Sequence, residues 1–232
     1  MNPFSFNCYF DEYKNKGRRI VMKLFYAAGS SSMAPHILLE ESGIPYVLEK
    51  VNLDTKTWNG GDYNSLNPKS YVPALATDSD GVLTECAVVL EYIGRQTNKE
   101  HFIDEYRSKS YWKQRMWLNY IATELHKNFI SPFRKGNWLP NTADSKSFVY
   151  KRVLPRLKFV DNALKQQDYL VNNEFSAPDA YLFVITNWIK RLGYNFDDFK
   201  NLQSFDARMR ERSAVQRVLR QEGKAHTLQE KD

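Results

Sequence analysis

Cysteine is scarce in this 232-residue chain, with Cys8 and Cys86 its only two. Two cysteines build no disulfide framework, and neither stands in a CxxC or Cys/His metal spacing. The four histidines, His36, His101, His126 and His226, form no HExxH or HxH pair, so no metal is expected. So little cysteine favours a reducing, cytoplasmic compartment. Nor does any apolar run approach the ~18–20 residues that a spanning helix needs, so no membrane partner is expected. The longest run, around Tyr181 to Ile185, is cut off by Asn187 and Lys190. Nine prolines and ten glycines are too few for a low-complexity protein. The first 21 residues lack the apolar core of roughly 7–15 residues that marks a secretory signal, and their basic residues follow the aromatic ones. They read either as an extension upstream of a domain that starts near Met22, or as a short ordered or targeting arm.

What is present is a globular composition, 42% hydrophobic and 26% charged. At roughly 100–200 residues per domain, the length fits one large domain or two small ones. The net charge of +6 is spread, with acids among the bases. The densest basic cluster, Arg208, Arg210, Arg212, Arg217, Arg220 and Lys224, is diluted by Glu211 and Glu222. It reads as a solvated C-terminal helix, and no nucleic-acid partner is expected.

Residues 22–27 form a β-rich run that ends at a small, flexible Gly-Ser stretch. Residues 34–42 follow as a helix with a serine N-cap, proline in the first turn and Gly43 as its stop. Tyr46 to Val51 reads as a second strand, which completes a βαβ unit with parallel strands. Residues 54–70 are polar and read as a loop with one irregular helix. Val72 to Ala76 is a strand opened by proline, in an edge or first-residue position. A turn at 78–81 leads to a short antiparallel return at 82–84. Glu85 to Arg95 is a helix, with Val88, Val89, Tyr92 and Ile93 sharing a face. Beyond residues 97–106 the pattern is helical: 106–128, 145–167, 177–192 and 205–221. The fold class is therefore an α/β domain, βαβ then ββα, over 22–98, followed by an all-helical domain over 99–225. Residues 1–21 are an extension.

Ser30, Ser31 and Ser32 stand between the first strand and the first helix. A helix N-terminus offers N–H groups and partial positive charge, a setting that suits an anionic thiolate. The bland reading is a plain serine N-cap. MKLFYAAGSSSMAPHILLEESGIPYVLEKVNLDTKT, then NPKSYVPAL, LTECAVVLEYI, LNYIATELHK and FSAPDAYLF, resemble in order and spacing the glutathione transferases. The resemblance is nearest to the bacterial Beta class and covers roughly 200 residues. It implies a thioredoxin-like first domain, a helical-bundle second domain and a homodimer. It also implies glutathione as co-substrate, activated as a thiolate to attack a small electrophile, as in detoxification.

The resemblance also implies site residues. The class typically has cysteine where Ser31 stands, so disulfide exchange with glutathione is in doubt, while thiolate activation by Ser31 or Ser32 stays open. Tyr26 is the tyrosine that other classes use and ranks behind Ser31. Val72-Pro73 is expected to be cis, so that Val72 pairs its backbone with the cysteinyl unit of glutathione. Glu85 would take the γ-glutamyl ammonium, and the N–H groups from Cys86 onward its carboxylate. Cys86 itself reads either as a thiol activated by its helix position or as a buried, inert one. Lys56 would meet the glycine carboxylate. In the second domain Asn119, His126 and Lys127 lie on one long helix. Asn119 and His126, two turns apart, would face one side, with His126 near the sulfur. Met116, Trp117 and Tyr120 would line the electrophile cleft, and Trp188 either the cleft or the core. Ser176-Ala-Pro-Asp179 is a capping box and belongs to folding. Two rival functions stay open: a glutathione-binding protein without turnover, and a glutathione-dependent peroxidase or thiol reductase working through Cys86.

Overall fold

A computed structural model describes residues 22–129 and 139–223. The N-terminal extension, with Cys8, lies outside the described residues, as do Lys224 and His226.

Strand β1 (Met22–Tyr26) and helix α1 (Met33–Ser42) lead into β2 (Val47–Lys50). β1 and β2 pair in parallel, as the crossover helix requires. α1 stops at Gly43, whose φ of 75° is left-handed and whose N–H caps the Leu39 carbonyl. The polar stretch that follows is more regular than its sequence suggests. A two-residue hairpin, β3 (Thr57–Trp58) and β4 (Gly61–Asp62), runs into a 3₁₀ turn at Tyr63–Ser65. Trp58 pins that hairpin to the sheet, edge-on to Phe25 at 4.9 Å.

β5 (Ala74–Thr77) and β6 (Gly81–Thr84) complete a sheet of order β2-β1-β5-β6, antiparallel beyond β1. β5 is interior, which excludes the edge position for its proline. Pro73 stands just ahead of the first paired residue, so its missing N–H removes no ladder bond. The Val72-Pro73 bond is cis, as expected. Helix α2 (Cys86–Arg95) buries Val89, Leu90 and Ile93. Val88 departs from the expected shared face and is 45% exposed.

The second half is helical. α3 (Lys109–Tyr120) starts later than expected, because Ser108 caps it by accepting from the Tyr111 N–H at 3.0 Å. A π-helical turn, Ile121–His126, follows, then an α-turn, Lys127–Phe129. α4 (Ala143–Ala163) and α5 (Ala177–Arg191) follow. α5 is buried on nearly every face, and its Ser176/Asp179 capping box is formed.

The single C-terminal helix expected over 205–221 is two helices, α6 (Lys200–Glu211) and α7 (Ser213–Glu222). The chain extends at Arg212, whose guanidinium lies 4.1 Å from the Phe175 ring centre and 2.6 Å from Glu41. The basic cluster is thus not a plain solvated face. Arg208 pairs with Asp168, Arg210 with Asp206, and Arg217 with Glu40 of α1. The Arg212–Glu41 and Arg217–Glu40 pairs lay α7 against α1, and that contact bears on the site.

Candidate functional site

A cavity of about 250 Å³ opens where the loop after β1, the cis-Pro segment and the start of α2 meet the π-turn after α3 and helix α5. Of the residues expected at a site, Ser31, Val72, Pro73, Glu85, Cys86, His126 and Lys127 line it, together with Trp188. Seven do not: Ser32, Tyr26, Lys56 and Asn119, and the expected cleft residues Met116, Trp117 and Tyr120.

The serines divide sharply. Ser31 is buried at the cavity wall and donates its hydroxyl to the Val72 carbonyl at 3.2 Å. Among the described residues its N–H meets no hydrogen-bond acceptor. Ser32 is fully buried and holds the loop together. Its oxygen accepts from the Ala27 N–H at 3.1 Å, and its hydroxyl reaches the Ala27 carbonyl at 3.2 Å. It lies 2.7 Å from the Ser30 hydroxyl. Ser32 stands at the N-cap position without making a side-chain cap. The N–H groups of Met33 and Ala34 turn instead to the carbonyls of Ser30 and Ser31. The expected set of free N–H groups therefore narrows to that of Ser31.

Tyr26 points elsewhere, its ring 6.0 Å from that of His36. Burial, with the Glu222 carboxylate nearby, raises its pKa and opposes any role as a ready proton donor. Lys56 stands in the turn just before β3 with a left-handed φ of 57° and gives its carbonyl to the Tyr63 N–H. The lysines on the cavity are Lys69 and Lys127. Lys69 bonds Glu85 at 2.6 Å and also Thr84. Glu85 caps α2 at a φ of 68°, an unusual conformation that holds its carboxylate at the mouth.

Cys86 resolves to the inert alternative. Its sulfur is buried and donates to the Ser31 carbonyl at 3.5 Å. Burial pushes the thiol pKa far up, and the Glu85 charge adds to that, so the helix start does not activate it.

On α3 the π-turn decides the outcome. Its i→i+5 bonding gives a wider turn, so seven residues no longer make two turns. Asn119 faces solvent, and its carbonyl accepts from Thr123. His126 and Lys127 are swung to the cavity. His126 Nδ1 is 2.5 Å from the Tyr181 hydroxyl, and its ring is 5.0 Å from Trp188. Lys127 lies over the Tyr71 ring at 5.6 Å. Met116, Trp117 and Tyr120 stay off the cavity: Met116 is 70% exposed, and the other two pack on Phe159. Trp188 is both core and lining, 4% exposed, with Nε1 donating to the Gly29 carbonyl at 2.9 Å.

Sequence reasoning missed Lys69, Tyr181, Arg191 and Glu222. Glu222 is the least legible, since 193 residues separate it from Gly29, whose N–H it accepts at 3.1 Å. Its other oxygen meets His36 Nδ1 at 2.9 Å, and His36 Nε2 meets Gln221 at 2.8 Å. With Trp188 on the carbonyl and Glu222 on the N–H, both polar groups of Gly29 are held from the helical half.

Residues 30–96 match the family model described as glutathione S-transferase, N-terminal domain, and residues 126–213 match glutathione S-transferase, C-terminal domain. The glutathione S-transferase GstA of Escherichia coli O157:H7 is 38% identical over 204 residues, 87% of this chain and 99% of that protein. A solved Beta-class glutathione S-transferase of Sphingomonas chungbukensis superposes with a TM-score of 0.81 at 31% identity, covering 87% of this chain and 98% of that one. A sphingomonad glutathione S-transferase solved in complex with glutathione gives a TM-score of 0.81 at 30% identity, covering 88% of this chain and all of that one.

Proposed function

Because the chain belongs to the glutathione S-transferase family, we propose that this cavity binds glutathione, lowers the pKa of its thiol and directs the thiolate at a small electrophile. The observation that carries the reading is the grouping of Ser31, the cis Val72-Pro73 backbone and Glu85 on one wall, with His126 and Lys127 opposite. Glutathione needs those complements. Glu85 suits its ammonium, and the amides at the start of α2 its γ-glutamyl carboxylate. The Val72 backbone suits its cysteinyl amide. Lys127 suits a second carboxylate in place of Lys56, which lies off the cavity.

The Ser31 N–H and hydroxyl, with His126, would stabilise the sulfur as an anion while the thiol proton leaves to water. The thiolate then attacks the electrophilic carbon, forms the C–S bond and expels the leaving group. Without a cysteine at position 31 the enzyme would not trap glutathione as a mixed disulfide. The elevated Cys86 thiol weighs against the peroxidase and thiol-reductase reading. The partners are glutathione, the electrophile and a second copy of the chain.

The test is a titration of the bound thiol by ultraviolet absorbance, with Cys8 and Cys86 replaced by alanine, across roughly pH 5–9. An apparent pKa well below the free value of about 8.5 supports the transferase. Tight binding with an unshifted thiol would instead favour a glutathione-binding protein without turnover.

A further inference from the structure

The Tyr71–Val72 peptide lies directly ahead of Pro73, and its carbonyl accepts twice. The Tyr63 hydroxyl donates to it at 2.6 Å and the Asn67 side-chain amide at 2.8 Å. A carbonyl oxygen has two lone pairs, so both are taken. Both donors are themselves fixed. Tyr63 is fully buried in the 3₁₀ turn, its ring 5.9 Å from that of Phe25. Burial pushes its hydroxyl pKa up to about 12, so it keeps its proton. Asn67 is buried as well, and its Oδ1 accepts the Lys69 N–H at 3.2 Å. That bond turns the Nδ2 end of the amide to Tyr71.

The Val72 N–H belongs to the same peptide unit. The unit is planar and trans, so its C=O and N–H point in opposite directions. The carbonyl is turned to the small core that Tyr63 shares with Phe25, Val51 and Leu66. The N–H is thereby turned to the other side, where Val72 lines the cavity. Among the described residues it meets no acceptor.

We propose that Tyr63 and Asn67 are positioning residues that clamp the Tyr71–Val72 peptide and so aim the Val72 N–H at the cysteinyl carbonyl of glutathione. That use rests on the transferase reading, but the clamp itself can be measured without ligand. It also gives the polar stretch between β2 and β5 a task, because the hairpin that Trp58 pins to Phe25 leads straight into Tyr63. A bond made equally to bound thiol and thiolate lowers KM and leaves kcat alone.

Tyr46-Val47 and Tyr71-Val72 are the only Tyr-Val pairs in the sequence. Protein labelled with carbonyl-¹³C tyrosine and ¹⁵N valine therefore gives one NMR carbonyl-to-amide correlation for each, with Tyr46-Val47 as the control. In ligand-free Tyr63→Phe and Asn67→Ala the Tyr71 carbonyl signal should move upfield, as one donor is lost, while the Tyr46 signal stays. Each variant should bind S-methylglutathione, an unreactive analogue, roughly three- to ten-fold more weakly. KM for glutathione should rise by the same factor at unchanged kcat. Tyr63→Phe keeps the ring and its packing, so it decides alone if Asn67→Ala fails to fold. A Tyr71 signal unmoved in Tyr63→Phe overturns the proposal. So does a signal that moves while S-methylglutathione binds as tightly as to the wild type, which would make the clamp a scaffold only. A Tyr71 signal that responds in a protein whose wild type binds no S-methylglutathione overturns the transferase reading and upholds the clamp.

Discussion

Ser31 and Ser32 are adjacent, identical in chemistry and opposite in placement. Sequence reading groups them, because both precede α1 and either hydroxyl suits a thiolate. The backbone turn separates them, sending Ser31 to the cavity and Ser32 into the loop's own hydrogen bonds. Ser31→Ala is expected to remove a charge-assisted bond of about 1.5–3 kcal/mol to the thiolate, roughly a ten- to hundred-fold loss in kcat/KM with little change in urea midpoint. Ser32→Ala should do the reverse, lowering stability by about 1–3 kcal/mol through unsatisfied loop groups. Conjugation rates and urea unfolding on both variants decide it, and unchanged rates in both would remove the serines from the mechanism. Cys86 carries a prediction of its own. Its elevated thiol should resist iodoacetamide in the native protein at pH 8 and react once the protein is unfolded.

At the scale of elements, β1, α1, β2, β5, β6 and α2 were legible because local signals specify them: strand alternation, Gly43 as a stop, proline ahead of β5. The π-turn and the break at Arg212 were not. Both answer to partners far along the chain, Tyr181 for His126 and Phe175 with Glu41 for Arg212. The same holds for the end of α7, where Glu222 reaches Gly29 and His36. Glu222→Ala leaves the His36 imidazole and the Gly29 N–H without their acceptor in a buried site. A loss of about 3–5 kcal/mol is expected, together with a raised KM for glutathione as the loop loosens. A normal KM in a destabilised variant would show that α7 supports the fold but not the loop. Asp206, which ties α6 to α5, supplies a pH dependence. Burial pushes its carboxyl up, but hydrogen bonds from Arg210, Lys190 and Thr186 outweigh that and hold its pKa below the usual value. A depressed folded pKa stabilises above the unfolded value of about 3.9 and is lost as pH falls through the folded one. Asp206→Asn should therefore be about 2–3 kcal/mol less stable than wild type at pH 7, and the gap should start to close near the unfolded value of about 3.9 and vanish only below the lower folded pKa. A gap that persists undiminished in acid would assign the loss to packing.

At the scale of the whole molecule, four of the exposed large apolar side chains belong to α2, α3 and the segment leading into α3, while Tyr71, Phe148 and Phe159 lie elsewhere. Trp112 and Met116 stand on α3 at 51% and 70% exposure, and Tyr106, 55% exposed, packs on Trp112. Val88 stands on α2, which α3 joins through the Arg115–Glu91 ion pair and the Tyr111 hydroxyl. Exposed apolar groups on two joined helices suit an interaction surface. Sequence patterning does not reveal it, because spacing groups Val88 on one face with Val89, Tyr92 and Ile93, and the family resemblance puts Met116 in the cleft. A second copy of the chain is the proposed occupant, and a two-fold pair would place the same patch on both sides. The net charge of +6 per chain opposes self-association, so the apolar contact must outweigh it. The wild type is expected to sediment as a dimer at micromolar concentration. Trp112→Asp with Met116→Asp should sediment as a monomer while retaining its helical circular dichroism, because both side chains already face water in the single chain. A wild type that sediments as a monomer, or a double variant that stays dimeric, would remove this face from the assembly.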